Sequence, residues 1–216
     1  MLGGVFNNPT EVLFGPELMS QLGDKVREYG DRILVVYGGQ SVHHCGAYHE
    51  VISTLHSLGA WYLELANVRP NPRADLVNQG VLLCKSHGID LILAIGGGSV
   101  IDTAKAIALA SHSEVDDILP LFNGMELPQS AIPIGVVLTL PGSGSESSPD
   151  AVITFPSLGK KIPITSQHLY PKFAFLNPQY TLHLSHESTM SGLWDAVSHV
   201  LERYFTNEHG VTCSSH

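Results

Sequence analysis

Asp195 and His199 stand four residues apart in LWDAVSHVLERYF, from Leu193 to Phe205. On a helix this spacing puts a carboxylate and an imidazole one turn apart on one face. There they can share a divalent cation. Without other support the same pair is an ordinary surface contact worth about a few tenths of a kcal/mol. A second stretch, IGGGSVIDTAK from Ile95 to Lys105, sets three consecutive glycines and Ser99 between an apolar run and a helical pattern. Glycines there permit a tight turn and close approach of the backbone to a ligand. The helix that follows aims free N–H groups and its positive dipole end at an anion such as a pyrophosphate. The spacing is not G-x-G-x-x-G, so the ordinary dinucleotide fingerprint does not describe it.

Two further loops follow apolar runs. In VVYGGQSV, Val35 to Val42, Gly38 stands where NAD enzymes commonly carry an acidic residue for the ribose hydroxyls. No carboxylate occupies that loop and Ser41 can donate to a phosphate, so NADP(H) is favoured over NAD(H). In LTLPGSGSESS, Leu138 to Ser148, a Gly/Ser-rich loop offers hydroxyls and N–H groups to an anion or a ribose. By itself this composition also suits any surface loop.

These loops need strands behind them. Arg32–Tyr37, Trp61–Leu65, Asp90–Ile95 and Ile132–Leu138 read as strands, with a shorter one at Val12–Phe14. Tyr48–Leu58, Leu76–His87 and Val100–Ala110 read as helices between them, and Leu18, Leu22 and Val26 share a helical face. Alternation of this kind predicts an α/β domain with a mainly parallel sheet covered on both faces. After about residue 185 the pattern is helical throughout, with Leu193, Val197, Val200, Leu201 and Tyr204 on one face that must pack against something. The expected organisation is a dinucleotide-binding domain over 1–184 and, over 185–216, the beginning of an all-helical domain.

Composition narrows the class. A net charge of -9 disfavours nucleic acid as a partner, yet a nucleotide can still be held by backbone N–H groups. No apolar run is long enough for a membrane helix, and the N-terminus lacks the pattern of a signal peptide. Cys45, Cys84 and Cys213 are too few and too scattered for a disulfide framework or a zinc knuckle. A cytoplasmic enzyme is the expectation.

Taken together and in this order, the motifs resemble the iron-dependent (group III) alcohol dehydrogenase family, above all its NADPH-using butanol dehydrogenase and aldehyde reductase branch. The likeness is carried by Phe14-Gly15, Pro70-Asn71-Pro72, Gly96 to Lys105, Thr139 to Glu146, Ala151 to Thr154, and Asp195 with His199. It implies an α/β dinucleotide domain, a helical domain, and a metal, iron(II) or zinc, in the cleft between them. It places Gly38, Gly39 and Ser41 at the adenosine ribose and its phosphate, with Asn71 nearby. Gly97, Gly98, Ser99 and Asp102 would cradle the pyrophosphate and ribose. Thr139, Leu140 and Ser143 would line the adenine and nicotinamide portions, Val152 would pack by the nicotinamide, and Lys161 would reach the ribose. Asp195 and His199 would be two of four metal ligands. The other two are histidines of later helices in the family; His209 and His216 follow His199 too closely to replace them. Small departures are Ser143 for Thr, Asn177 for Asp before Pro178, and Ser185 for Pro.

The implied reaction is hydride transfer between nicotinamide and a small primary alcohol or aldehyde. Homo-oligomerisation is expected, and with two metal ligands this chain alone should turn over negligibly. Two other readings stay open: a non-redox relative of dehydroquinate synthase, and a non-catalytic nucleotide-binding module.

Overall fold

A computed structural model describes residues 7–115, 117–125 and 128–205. The strands and helices in chain order are β1 (Glu11–Phe14), α1 (Leu22–Tyr29), β2 (Arg32–Tyr37), α2 (Ser41–His44), α3 (Ala47–Leu58), β3 (Trp61–Leu65), α4 (Ala74–His87), β4 (Leu91–Gly97), α5 (Gly98–Ala110), α6 (Leu119–Phe122), β5 (Ile134–Leu140), β6 (Asp150–Phe155), β7 (Lys160–Thr165), β8 (Phe173–Leu176) and α7 (His186–Phe205). A short 3-10 turn, Pro16–Gln21, precedes α1 and leaves Leu22 and Val26 as the buried part of that face.

Six strands form one parallel sheet in the order β1-β8-β5-β4-β2-β3. Its central strands carry long buried apolar runs because both faces are covered. Along β2, Ile33, Val35 and Tyr37 enter one buried cluster with Leu22, Val26, Val51 and Leu55. Leu34 and Val36 enter the other, with Val77, Val81, Ile101 and Ile107. Strand β4 divides in the same way, Leu91, Leu93 and Ile95 against Ile92 and Ala94. The two-residue period of side-chain direction thus feeds two cores from one strand.

Two parts of the sheet system are absent from the sequence reading. Strand β8, only FAFL, lies between β1 and β5. The β6–β7 pair is a separate antiparallel hairpin, turned by Gly159 at a φ of 60°. It packs on α5 and is tied to the Pro70–Pro72 segment by the Thr154 N–H, which donates to the Pro72 carbonyl at 2.7 Å.

Helix α7 opens at Ser185, whose Oγ accepts the Ser188 N–H at 3.1 Å, so serine at this position caps the helix. Likewise Asn177 Oδ1 accepts the Gln179 N–H at 3.0 Å, doing the work an aspartate would do there. The apolar face expected to turn inward is uncovered among the described residues: Leu193, Val197, Val200, Leu201 and Tyr204 are all exposed. Cys45 and Cys84 are free thiols, and Cys213, His209 and His216 lie outside the described residues. No helix among the described residues is long and apolar enough to cross a membrane.

Candidate functional site

The chain runs from β2 to β3 toward one sheet edge, then returns to β4 and builds toward the other. Connections leaving β2 and β4 therefore part to opposite faces, and a crevice opens between the carboxyl ends of these neighbours. A cleft begins there. Its first section is lined by Gly38, Gly39 and Ser41 after β2, by Gly97, Gly98 and Ser99 after β4, and by Thr139 and Leu140 from β5. The middle section, about 760 Å³, continues past Gly98, Ser99 and Asp102 to Asn71, Ser143, Val152 and Lys161, and reaches Asp195. That volume is ample for a small-molecule ligand. The far section is lined by Asp102, Ser143, Val152, Asp195 and His199. All fifteen residues singled out from the sequence thus line one trough, although Asn71, expected beside Gly38, Gly39 and Ser41, lines the middle section with Lys161 instead.

The triple glycine is fixed by packing as well as by its place at the bend. None of Gly96, Gly97 and Gly98 has a positive φ, so conformational freedom is not what the bend requires. Each is required by a close neighbour. A Cβ on Gly96 would sit 2.5 Å from Val100 Cγ2, one on Gly97 2.9 Å from Leu140 Cβ, and one on Gly98 2.5 Å from Ser143 Oγ. The bend is squeezed between the first turn of α5 and the end of β5, where a bulge skips Thr139 in the pairing of Gly96 with Leu138 and Gly97 with Leu140. Gly39 contrasts with these. It has no positive φ, and a Cβ there would meet nothing within 4 Å. Neither strain nor packing calls for glycine, and the missing side chain leaves the cleft open.

Asn71 holds a φ of 59° between two prolines, a conformation asparagine tolerates better than most residues. Its Oδ1 accepts from Lys161 Nζ, which joins the Pro70–Pro72 segment to β7 across the trough. Asp102 is pinned at both oxygens. Ser145 Oγ donates to Oδ1 at 2.7 Å and the Val152 N–H donates to Oδ2 at 3.0 Å. Burial raises the Asp102 carboxyl above its ordinary range, opposed by those two bonds and by the charge of Lys105. Charge is distributed unevenly along the trough. The first section carries Arg69, His44 and His183 and no carboxylate, whereas Asp102, Asp150 and Asp195 line the far one.

Asp195 Oδ1 and His199 Nε2 are 3.6 Å apart, one turn apart on α7, and about half exposed. A carboxylate oxygen and an imidazole nitrogen suit iron(II) or zinc, so these two side chains fit half of a metal site. Among the described residues no group of three His, Cys, Asp or Glu is gathered closely enough to complete it.

Four positioning residues escaped the sequence reading. A Cβ on Gly192 would meet the Pro141 carbonyl at 2.6 Å, and one on Gly142 would meet Gly192 Cα at 3.0 Å. This glycine contact seats α7 on the loop after β5 and brings Asp195 and His199 over the trough. A glycine three residues before Asp195 inside a helix was the available signal. Lys105 and Ser145 form the buried side of the Asp102 network. For Lys105 the signal was a lone cation in the otherwise apolar run AKAIALA.

Fold and trough together define an open α/β architecture of the dinucleotide-binding class, with the Asp195–His199 pair at one end of its cleft. A sequence profile for iron-containing alcohol dehydrogenases matches residues 9–178. The chain belongs to that family. It is 41% identical over 202 residues to a protein named probable NADH-dependent butanol dehydrogenase 2 from Bacillus subtilis, covering 94% of this chain and 52% of that protein. It is 37% identical over 202 residues to the NADPH-dependent aldehyde reductase YqhD from Escherichia coli, covering 93% and 51%. Among solved structures, NADH-dependent butanol dehydrogenase A from Thermotoga maritima superposes with a TM-score of 0.91 at 36% identity, over 100% of this chain and 52% of that one. The chain spans about half the length of the curated relatives it matches.

Proposed function

We propose that this chain is the cofactor-binding part of a metal-dependent, NADP(H)-preferring alcohol dehydrogenase or aldehyde reductase that moves hydride between nicotinamide and a primary alcohol or aldehyde. Residues 1–184 form the cofactor domain, and 185–216 begin a helical one whose uncovered apolar face favours self-association. The observation that carries this reading is the single trough running from the β2 and β4 loops to the Asp195–His199 pair.

Gly97, Gly98 and Ser99 present the first N–H groups of α5 to the pyrophosphate. Gly38, Gly39 and Ser41 take the adenosine ribose, and Asn71 with Lys161 the ribose on the other side. Thr139, Leu140, Ser143 and Val152 flank the bases, and Asp102 accepts from a ribose hydroxyl. Asp195 and His199 hold the metal together with ligands from outside the described residues. When bound, that ion supplies Lewis acidity to the alcohol or carbonyl oxygen. The chain's own part is to orient the ring and keep water from its reacting face.

Relatives carry names with either nicotinamide cofactor. The NADP(H) preference rests on the carboxylate-free first section with Ser41 and Arg69 at its wall. A fluorescence titration of this chain with NADPH and with NADH tests it. The unaltered chain should bind NADPH more tightly. Gly39→Asp, which has room for its side chain, should weaken NADPH at least about tenfold through repulsion of the 2′-phosphate while sparing NADH. Equal affinities for the two cofactors, with Gly39→Asp leaving both unchanged, would remove the NADP(H) assignment.

A further inference from the structure

Lys105 sits in the middle of α5 with no solvent exposure. Its Nζ donates to Ser145 Oγ at 3.0 Å, to the Ser148 carbonyl at 2.8 Å, to Ser148 Oγ at 3.3 Å and to the Asp150 carbonyl at 2.9 Å. An ammonium can only donate. Ser145 Oγ is therefore an acceptor toward Lys105, and its one hydrogen is directed to Asp102 Oδ1. Asp102 Oδ2 takes the Val152 N–H. The cation lies behind the wall of the trough, and the residues it fixes face inward: Ser145, Ser148 and Asp150 line the far section, and Asp102 and Val152 line both the far and the middle ones.

Stability does not account for this lysine. A buried cation generally stabilises no better than an apolar side chain of its size, and this one touches carbonyl and hydroxyl oxygens but no carboxylate. Burial pushes its pKa down to about 8, against the opposing charges of Asp102 on α5, Asp150 on β6 and Glu146 on the loop between β5 and β6. Since the folded value lies below the free one of 10.5, the unfolded chain binds the extra proton between them. This group's contribution to stability thus rises with pH across that window.

We propose that Lys105 is a positioning residue for the cofactor: through Ser145 it sets the direction of the Asp102 carboxylate and the place of the Val152 amide, and so shapes the wall that receives the pyrophosphate and nicotinamide ribose. This rests on the nucleotide-binding reading given above.

NADPH titrations and thermal melts of the 216-residue chain decide it, comparing Lys105→Met, Ser145→Ala and the double variant with the parent. Ser145→Ala removes one hydroxyl and leaves three of the four lysine acceptors in place. It should melt close to the parent yet bind NADPH roughly tenfold more weakly. Lys105→Met should lose a similar factor, and the double variant no more than either single change, because both cut one relay. Parent affinity should fall as the pH passes about 8 while the melting temperature does not, and Lys105→Met should lack that fall. Parent-like NADPH binding by Ser145→Ala, or losses that multiply in the double variant, would overturn the proposal. Should Lys105→Met not fold, Ser145→Ala and the parent pH profile still decide the question. A parent chain that binds no NADPH would instead overturn the nucleotide reading itself, and this inference with it.

Discussion

Gly97→Val is expected to reduce NADPH binding by more than about a hundredfold while most of the sheet stays folded. Gly97 has an extended backbone that any residue can adopt, so the substitution creates no torsional strain. The obstacle is space. Even the first carbon of a side chain would lie 2.9 Å from Leu140 Cβ and 3.1 Å from the Leu140 carbonyl, and backbone cannot yield as a side-chain tip can. The end of β4 must then swing from β5, carrying the first turn of α5 with it. Those N–H groups are the ones proposed to meet the pyrophosphate, and two lost charge-assisted hydrogen bonds amount to about 3–6 kcal/mol. Titration of NADPH fluorescence reads the loss directly. Circular dichroism should still report an α/β chain, since Gly97 belongs to the rim and the core clusters lie deeper in the sheet. Binding within about threefold of the parent would mean that this bend does not seat the diphosphate.

Phe173→Ala is expected to have the largest effect on stability, about 3–5 kcal/mol. Phe173 is fully buried in β8, with its ring against Gly135 of β5 and its centroid 5.9 Å from Tyr29 and 5.8 Å from Phe175. A Cβ on Gly135 would be 2.2 Å from the ring, which identifies that glycine as the slot the ring occupies. Removing the ring empties the slot over Gly135, against two hydrogen-bonded strands whose backbone cannot collapse to fill it. A domain holds only about 5–15 kcal/mol in all, and for a chain of this size the loss corresponds to a fall in Tm of roughly 10 °C. Adding Gly135→Val to Phe173→Ala refills part of the volume and should recover part of the Tm. Either change made singly should destabilise. A melt of Phe173→Ala within about 2 °C of the parent would show that β8 does not anchor the sheet.

The strands legible in the sequence were those buried on both faces. In RILVVY and DLILAI five apolar residues stand in succession because each strand feeds two cores, and the glycines that follow each run mark its end. FAFL was not legible, since four apolar residues carry too little pattern and its placement depends on partners more than thirty residues away in sequence. The hairpin β6–β7 was hidden for a related reason: its strands are half exposed, and Pro163 within KKIPIT argues against a strand unless the position is an edge.

The candidate site divides along the same line. Loops that follow strong strands announced themselves by composition, and so the residues at the ends of β2, β4 and β5 could be named from the sequence, as could the Asp195–His199 pair from helical spacing. What the tertiary structure decided was the use of each residue. It assigned Gly97 and Gly98 to packing against Leu140 and Ser143, more than forty residues on, while Gly96 meets Val100 in the next turn. It brought Gly192 onto Gly142 and thereby aimed α7 at the trough, and it buried Lys105 behind Asp102 with a serine between them. Residue type and spacing determine which groups can bind an anion or a cation, because that is a property of the side chain and the nearest turn of backbone. Which groups meet, and at what distance, is set by contacts across forty residues or more of sequence, and these exist only after the sheet has closed.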